Sequence, residues 1–132
     1  MIPSHPARRR ILAPAALLIL LAGLLLPAVR AEAHAVIVSS KPAANSQVPA
    51  GPVDILLQFN SLIDPALSRV DLVDPQSKIT ALTLTSLGKG ALSSQANVDV
   101  PGKWRLRWQV LSVDGHITRG EIPFTVVAKT TP

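Results

Sequence analysis

The chain has 132 residues, which favours a single domain, and it carries 13 lysines and arginines against 8 aspartates and glutamates. It contains no cysteine, so disulfide bonds, thiolate metal sites and blue-copper electron-transfer centres are excluded.

The first 33 residues have the three regions of a secretory signal peptide. A basic cluster at residues 8–10 precedes an apolar run at residues 11–26, and small side chains stand at Ala31 and Ala33. We predict cleavage after Ala33, which makes His34 the first residue of the mature chain, with a cut after Ala31 as the alternative. The arginine cluster also suggests twin-arginine export, but the rest of that motif is absent.

A membrane anchor is the competing interpretation of the apolar run. The run has 16 residues and contains Pro14, whereas a membrane-spanning helix needs roughly 20 apolar residues. We therefore expect a signal peptide at residues 1–33, no membrane anchor after processing, and no membrane segment fused behind the domain at residues 34–132.

Much of the positive charge belongs to the predicted leader. Its removal takes four arginines and one glutamate, and leaves nine basic and seven acidic residues. We therefore expect no nucleic-acid partner. Export without disulfides is typical of a bacterial envelope protein, and we place the mature chain in the periplasm.

From His34 onward, short alternating runs are separated by turns rich in proline, glycine and asparagine. Alternation of apolar and polar residues is typical of strands with one face in a core. The clearest runs are VDILLQF, KWRLRWQV and EIPFTVV. About seven strands with no helix predict an all-β fold, a small antiparallel sandwich. Seven segments are predicted as strands, at residues 35–39, 53–59, 68–73, 79–84, 96–100, 103–110 and 121–127.

Two features of the late strands have structural interpretations. Trp104 and Trp108 share one face and are assigned to the core, which leaves the arginines between them on a solvated face. Pro123 cannot donate a ladder hydrogen bond, so its strand is expected to lie at an edge or to carry a bulge.

The mature chain keeps two histidines, His34 and His116, and their settings suggest a metal site. An N-terminal histidine can bind one ion through its α-amine and its Nδ1 together. Asp114 and His116 are two positions apart, so in an extended segment both side chains point the same way. Three nitrogens and one oxygen suit Cu(II) first, Ni(II) less well, and Zn²⁺ only if they form a tetrahedron.

Each half of this signal is weak alone. The triplet Asp114-Gly115-His116 is common, and Asp-Gly otherwise indicates a hairpin turn that carries a surface histidine.

The chain resembles the periplasmic copper-resistance CopC-type (CopC/YobA-like) domain in two segments. These are HAVIVSSKPAANSQVPAGP, at the start of the predicted mature chain, and WRLRWQVLSVDGHITRGEIPFTV. The resemblance covers His34 to about Val127. It implies an immunoglobulin-like Greek-key β-sandwich of about seven strands that binds one Cu(II) ion. The ligands it implies are the amine and Nδ1 of His34, an imidazole nitrogen of His116 and an oxygen of Asp114.

Two departures from the family pattern matter. Some members place a glutamate near the copper where this chain has Ser61, and Asp64 is the nearest acid in sequence. Some members also have a methionine-rich Cu(I) site, whereas the one methionine here is Met1, which leaves with the leader.

The resemblance implies a protein for copper sequestration, resistance or delivery, and not an enzyme. We expect it to be a monomer that exchanges copper with an inner-membrane copper importer or another copper protein. A histidine-brace copper oxidase-type enzyme is one alternative, opposed by the small size and the absence of tyrosine. A metal-free sandwich for adhesion or assembly is the other.

Overall fold

The computed structural model describes residues 2–4 and 34–130. Residues 2–4 form neither helix nor strand, and the rest of the predicted signal peptide, with its cleavage site, lies outside the described residues. No helix that could cross a membrane occurs in the two described ranges.

Nine strands form two sheets. They are β1 (Ile37–Lys41), β2 (Gln47–Pro49), β3 (Gly51–Phe59), β4 (Ile63–Val73), β5 (Ile79–Ala81), β6 (Thr85–Gly88), β7 (Ala91–Val98), β8 (Gly102–Ser112) and β9 (Ile117–Val127). The first sheet has the order β1-β3-β7-β6 and the second the order β2-β9-β8-β4-β5. All pairs are antiparallel except β2 with β9. The chain thus crosses repeatedly between sheets, as in immunoglobulin-like Greek-key sandwiches, and the predicted fold class is confirmed.

Each of the seven predicted segments contains or overlaps a strand, and two short strands are added. β2 has three residues inside a proline-containing turn segment, and it is held by parallel pairing with β9. β6 is exposed along its whole length. Neither strand packs one whole face against the core, so neither has alternating apolar residues. The alternation pattern therefore could not predict these two strands.

The core lies between the two sheets and confirms the predicted position of both tryptophans. Trp104 and Trp108 are buried, and the ring of Trp108 meets that of Phe59 edge to face, with centroids 5.2 Å apart. Gly120 stands opposite Trp108 in the β8–β9 register. A Cβ at Gly120 would lie 2.5 Å from Cζ2 of Trp108. The indole therefore occupies space that only a glycine leaves open.

Pro123 lies in β9 opposite Arg105 of β8, in a pairing without a bulge. On the other side of β9, β2 pairs only with Thr125 to Val127. Pro123 therefore lies on the part of β9 that has no strand beyond it. Because β2 lies beyond the last residues of β9, the strand is not an edge strand as a whole, and the predicted edge position holds only locally, at Pro123.

Five strand ends meet at one end of the sandwich. Ile37 at the start of β1 pairs with Phe59 at the end of β3. Ile63 at the start of β4 pairs with Ser112 at the end of β8. The short connection from β8 to the start of β9 lies at this same end. This topology brings the first residues of the domain to the turn between β8 and β9.

Candidate metal centre

The connection between β8 and β9 is a tight turn that carries two of the predicted ligands. The amide of Gly115 donates to the carbonyl of Ser112 at 2.9 Å, and the amide of Ser112 donates to the carbonyl of His116 at 2.8 Å. Gly115 has φ of 91°, a left-handed conformation that a side chain would strain. The Asp-Gly pair is thus a hairpin turn, as one of the sequence alternatives held, and it presents Asp114 and His116 to solvent.

Asp114 contacts His116 through both carboxylate oxygens. Its Oδ1 accepts a hydrogen bond of 3.2 Å from the backbone amide of His116, and its Oδ2 lies 3.2 Å from the ring Nδ1. The amide hydrogen bond is the largest cause of a pKa of Asp114 below its ordinary value of 3.8, and the imidazole contact adds to it. The carboxylate is therefore ionised near neutral pH, and it orients the imidazole.

The segment before β1 is fixed against the same end of the sandwich. The methyl group of Ala35 is buried, and the carbonyl of Ala35 accepts a hydrogen bond of 3.1 Å from the hydroxyl of Thr118. Asn60 makes two hydrogen bonds with Val36. Its side-chain Oδ1 accepts from the backbone amide of Val36 at 2.8 Å, and its backbone amide donates to the carbonyl of Val36 at 2.9 Å. Together these contacts set the position of His34.

His34 lies beside His116. Their ring centroids are 5.7 Å apart with the planes at 77°. Thus the structure brings His34 next to His116 and His116 next to Asp114. Within residues 2–4 and 34–130, no group of three or more His, Cys, Asp or Glu side chains is arranged so that side chains alone could hold a metal ion. The described geometry is therefore two imidazoles side by side, with a carboxylate bound to one of them.

Two residues of this neighbourhood were missed by the sequence analysis. Asn60 and Thr118 position the backbone of the first residues without carrying metal-binding chemistry of their own. Hydrogen bonds from a side chain to a distant backbone atom leave no periodic signal in a sequence. For that reason neither residue could be singled out beforehand.

Ser61 occupies the position where some family members have a glutamate. Its hydroxyl is buried and has no hydrogen-bond partner in the part of the chain that the structure describes. The neighbouring carbonyl of Leu62 accepts a hydrogen bond of 3.1 Å from the Val113 amide, which ties this loop to the turn. Asp64 is used locally, since its Oδ1 accepts from the Ala66 amide at 3.0 Å.

Comparison with known proteins identifies the family. The sequence profile of the CopC domain matches residues 37–127. The chain belongs to the CopC domain family. The matched range contains Asp114 and His116, and it begins just after His34.

Two relatives and one solved structure show how far the similarity extends. Protein YobA of Escherichia coli strain K12 is 34% identical over 115 residues, which cover 84% of this chain and 91% of YobA. Copper resistance protein C of Xanthomonas campestris pv. juglandis is 33% identical over 105 residues, 73% of this chain and 82% of that protein. The crystal structure of CopC from Methylosinus trichosporium OB3b matches with a TM-score of 0.66 at 28% identity, covering 75% of this chain and 99% of the other.

Proposed function

We propose that this CopC domain is a periplasmic protein that binds one Cu(II) ion for copper sequestration, resistance or delivery. The observation that supports it is the 5.7 Å separation of the His34 and His116 rings, which come from the start of the domain and from its last hairpin. Membership of a family whose relatives include a copper resistance protein supports the choice of metal.

The proposed ligands are the α-amine and Nδ1 of His34, an imidazole nitrogen of His116 and an oxygen of Asp114. One of these four donors does not exist in the uncleaved chain, because the nitrogen of His34 is then a peptide amide bonded to Ala33. Cleavage after Ala33 would convert that nitrogen into an amine with a pKa of about 7.7, which loses its proton readily on metal binding near neutral pH.

The donor set favours Cu(II) over Cu(I). Nitrogen and oxygen ligands suit Cu(II), whereas Cu(I) prefers thiolates and thioethers. The chain has no cysteine, and Met1 would leave with the signal peptide.

The proposal is tested with the exported protein, purified from the periplasm, and a variant with one glycine inserted between Ala33 and His34. Mass spectrometry of both proteins, with and without copper, gives the first residue and the copper stoichiometry. We expect one Cu(II) per chain that begins with His34, and a loss of at least about 10-fold in affinity for the chain that begins with glycine. Equal affinities would show that the amine is not a ligand.

The two other functions have separate outcomes. If the correctly processed protein binds no Cu(II), Ni(II) or Zn²⁺ by calorimetry, the metal-free sandwich becomes the better account. If copper-loaded protein consumes oxygen with ascorbate, and a polysaccharide stimulates the reaction, the oxidase-type enzyme becomes the better account. We expect metal binding and no such oxygen consumption.

A further inference from the structure

One face of the second sheet carries every arginine of the predicted mature chain. All four arginines of residues 34–132 lie on β4, β8 or β9, with their side chains on the face turned away from the core. The five other basic residues of this range are lysines. We call this surface the arginine face; it comprises Arg69, Arg105, Arg107 and Arg119 together with Asp71, Gln109 and Glu121.

The sheet register orders the arginine face in rows. Arg69 and Arg119 flank Gln109 in one row, and Asp71 and Glu121 flank Arg107 in the next. Neighbouring strands lie about 4.8 Å apart, and rows two residues apart are separated by about 6.7 Å. The guanidinium groups therefore form a compact array, with a depression of about 430 Å³ among its residues.

Two of the arginines are hydrogen-bonded through Nε, and a third is ion-paired through it. The Nε of Arg69 donates to Asp71 at 3.1 Å, and that of Arg119 donates to Gln109 at 2.7 Å. The Nε of Arg105 lies 3.3 Å from an oxygen of Glu121, although not in hydrogen-bonding geometry. Within residues 34–130, the two terminal nitrogens of these three arginines have no partner. The terminal pair of nitrogens is one edge through which a guanidinium can bind a carboxylate with two parallel hydrogen bonds.

Asp71 is the buried anchor of the array, with 5% of its side chain accessible. One oxygen accepts from Arg69, and the other accepts from Nη2 of Arg107 at 3.3 Å. The guanidinium groups of both arginines remain partly exposed above it. Asp71 therefore limits their motion and reduces the side-chain entropy that a ligand would have to remove on binding.

The chemistry of this face distinguishes between two kinds of anionic partner. An anionic membrane attracts clusters of basic residues, commonly with apolar residues beside them that enter the bilayer. Here Ile117, two residues before Arg119 on the same side of β9, is an exposed apolar neighbour of the array, but Asp71 and Glu121 lie among the arginines, and lipid phosphates would repel Glu121. Positive groups interspersed with negative ones are typical of surfaces that recognise a protein with the complementary pattern.

We propose that the arginine face docks a partner protein through a carboxylate-rich surface of that partner. The terminal nitrogens of Arg69 and Arg119 bind carboxylates at the two flanks of the sheet, and the depression between them receives a further acidic side chain. None of the arginine-face residues is a proposed copper ligand, although Arg119 follows His116 by three residues in β9, and docking does not depend on bound copper.

The test uses exported, processed protein, labelled with ¹⁵N, free of metal and at low salt. The probe is a blocked eight-residue peptide of alternating glutamate and threonine; the control peptide has glutamine in place of glutamate. We expect saturable shifts of amide signals in β4, β8 and β9 with the glutamate peptide, and none with the glutamine peptide. Shifts confined to the lysine-bearing turns would overturn the proposal.

A pair of double variants separates specific docking from general attraction. R69Q/R119Q is expected to weaken peptide binding by about 5-fold or more, because two carboxylate contacts are lost. K78Q/K129Q removes the same charge elsewhere and should change the affinity by less than about 2-fold. If the two double variants weakened peptide binding equally, the peptide would not bind at a defined surface, and the proposal would be contradicted. R119Q alone removes one side-chain hydrogen bond, to Gln109, and repeats the test with little effect on folding.

Vesicles that contain phosphatidylglycerol test the membrane alternative. We expect the processed protein to remain in the supernatant when such vesicles are sedimented at physiological salt. A different result would assign the face to lipid and refute docking of a protein. In that result the protein sediments with the vesicles, R69Q/R119Q abolishes the sedimentation, and the glutamate peptide does not reverse it.

Discussion

Asp114 has two roles in the proposed site that a single substitution can separate. Its oxygens accept from the His116 amide and lie against the His116 ring. An asparagine can still accept the amide hydrogen bond, but it lacks the negative charge. The exposed position of the turn means that the substitution removes little from the packing of the sandwich.

We therefore predict that D114N keeps the fold and lowers the Cu(II) affinity of the processed protein by about 10-fold or more, since a charged oxygen donor becomes a neutral one. Competition with a chelator of known affinity measures the change. D64N is the matched control, because within residues 34–130 the Asp64 carboxylate accepts a hydrogen bond only from the nearby Ala66 amide. Unchanged affinity in D114N would remove Asp114 from the ligand set.

Gly120 and Trp108 form a second residue pair with a measurable consequence. The space opposite the indole is too small for a methyl group, since the added carbon would lie 2.5 Å from Cζ2. We predict that G120A lowers the free energy of unfolding by about 1–3 kcal/mol, as overpacking of a core does, measured by urea denaturation. The cost should shrink in a W108F background, where the smaller ring leaves room. An equal cost in both backgrounds would assign the effect to the backbone.

At the scale of the strands, the segment that leads into β1 decides where the mature N-terminus lies. Asn60, just after β3, and Thr118, in β9, hold Ala35 and Val36 from two different sheets. Each hydrogen bond contributes about 1 kcal/mol. Both act on backbone atoms next to His34. Their loss should therefore lower the Cu(II) affinity as well as the free energy of unfolding.

N60A is predicted to lower the free energy of unfolding by about 1–2 kcal/mol, because it leaves the Val36 amide without its acceptor. It should also weaken Cu(II) binding, because the first residue is held less firmly. Faster hydrogen exchange at the Val36 amide, together with an altered electron paramagnetic resonance spectrum of the copper form, would show this. N97A, a polar truncation in β7, serves as the control. A loss of stability with unchanged copper affinity and spectrum would limit Asn60 to a structural role.

The strands also show what periodicity can predict. β3, β8 and β9 alternate because each has one face on the core, and their segments were identified from that pattern. β4 begins five residues before its predicted start, in a stretch interrupted by an irregular pairing between Asp64 and Arg69. β2 and β6 depend on their partner strands, which a local pattern does not contain. Local sequence therefore predicted the core strands and missed those held by their neighbours.

At the scale of the whole molecule, the sandwich joins its first residues to its last hairpin. The start of β1 and the turn between β8 and β9 lie at the same end of the sandwich. There β1 pairs with the end of β3, and the hydroxyl of Thr118 in β9 donates to the carbonyl of Ala35. A metal bound there connects the two sheets. Since the unfolded chain would not hold these donors together, binding should stabilise the folded state by mass action.

We predict that Cu(II) raises the melting temperature of the processed protein, by an amount that grows with copper concentration, because at 100 times the dissociation constant binding contributes about 2.7 kcal/mol. The variant with glycine before His34 should show a much smaller increase at the same concentration. Differential scanning calorimetry measures both. An identical increase in the two proteins would mean that copper stabilises the fold through other groups.

The sequence by itself determined the fold class and the buried tryptophans, because alternation is a local property, and side-chain type alone made His34, Asp114 and His116 the candidate ligands. It also predicted the leader and the cut, which lie outside the described residues. Only the tertiary structure decided that His34 lies beside His116, that Asn60 and Thr118 hold the backbone there, and that four arginines share one face of a sheet. Those facts depend on which strands pair and in which register, and strand pairing is a property of the folded chain as a whole.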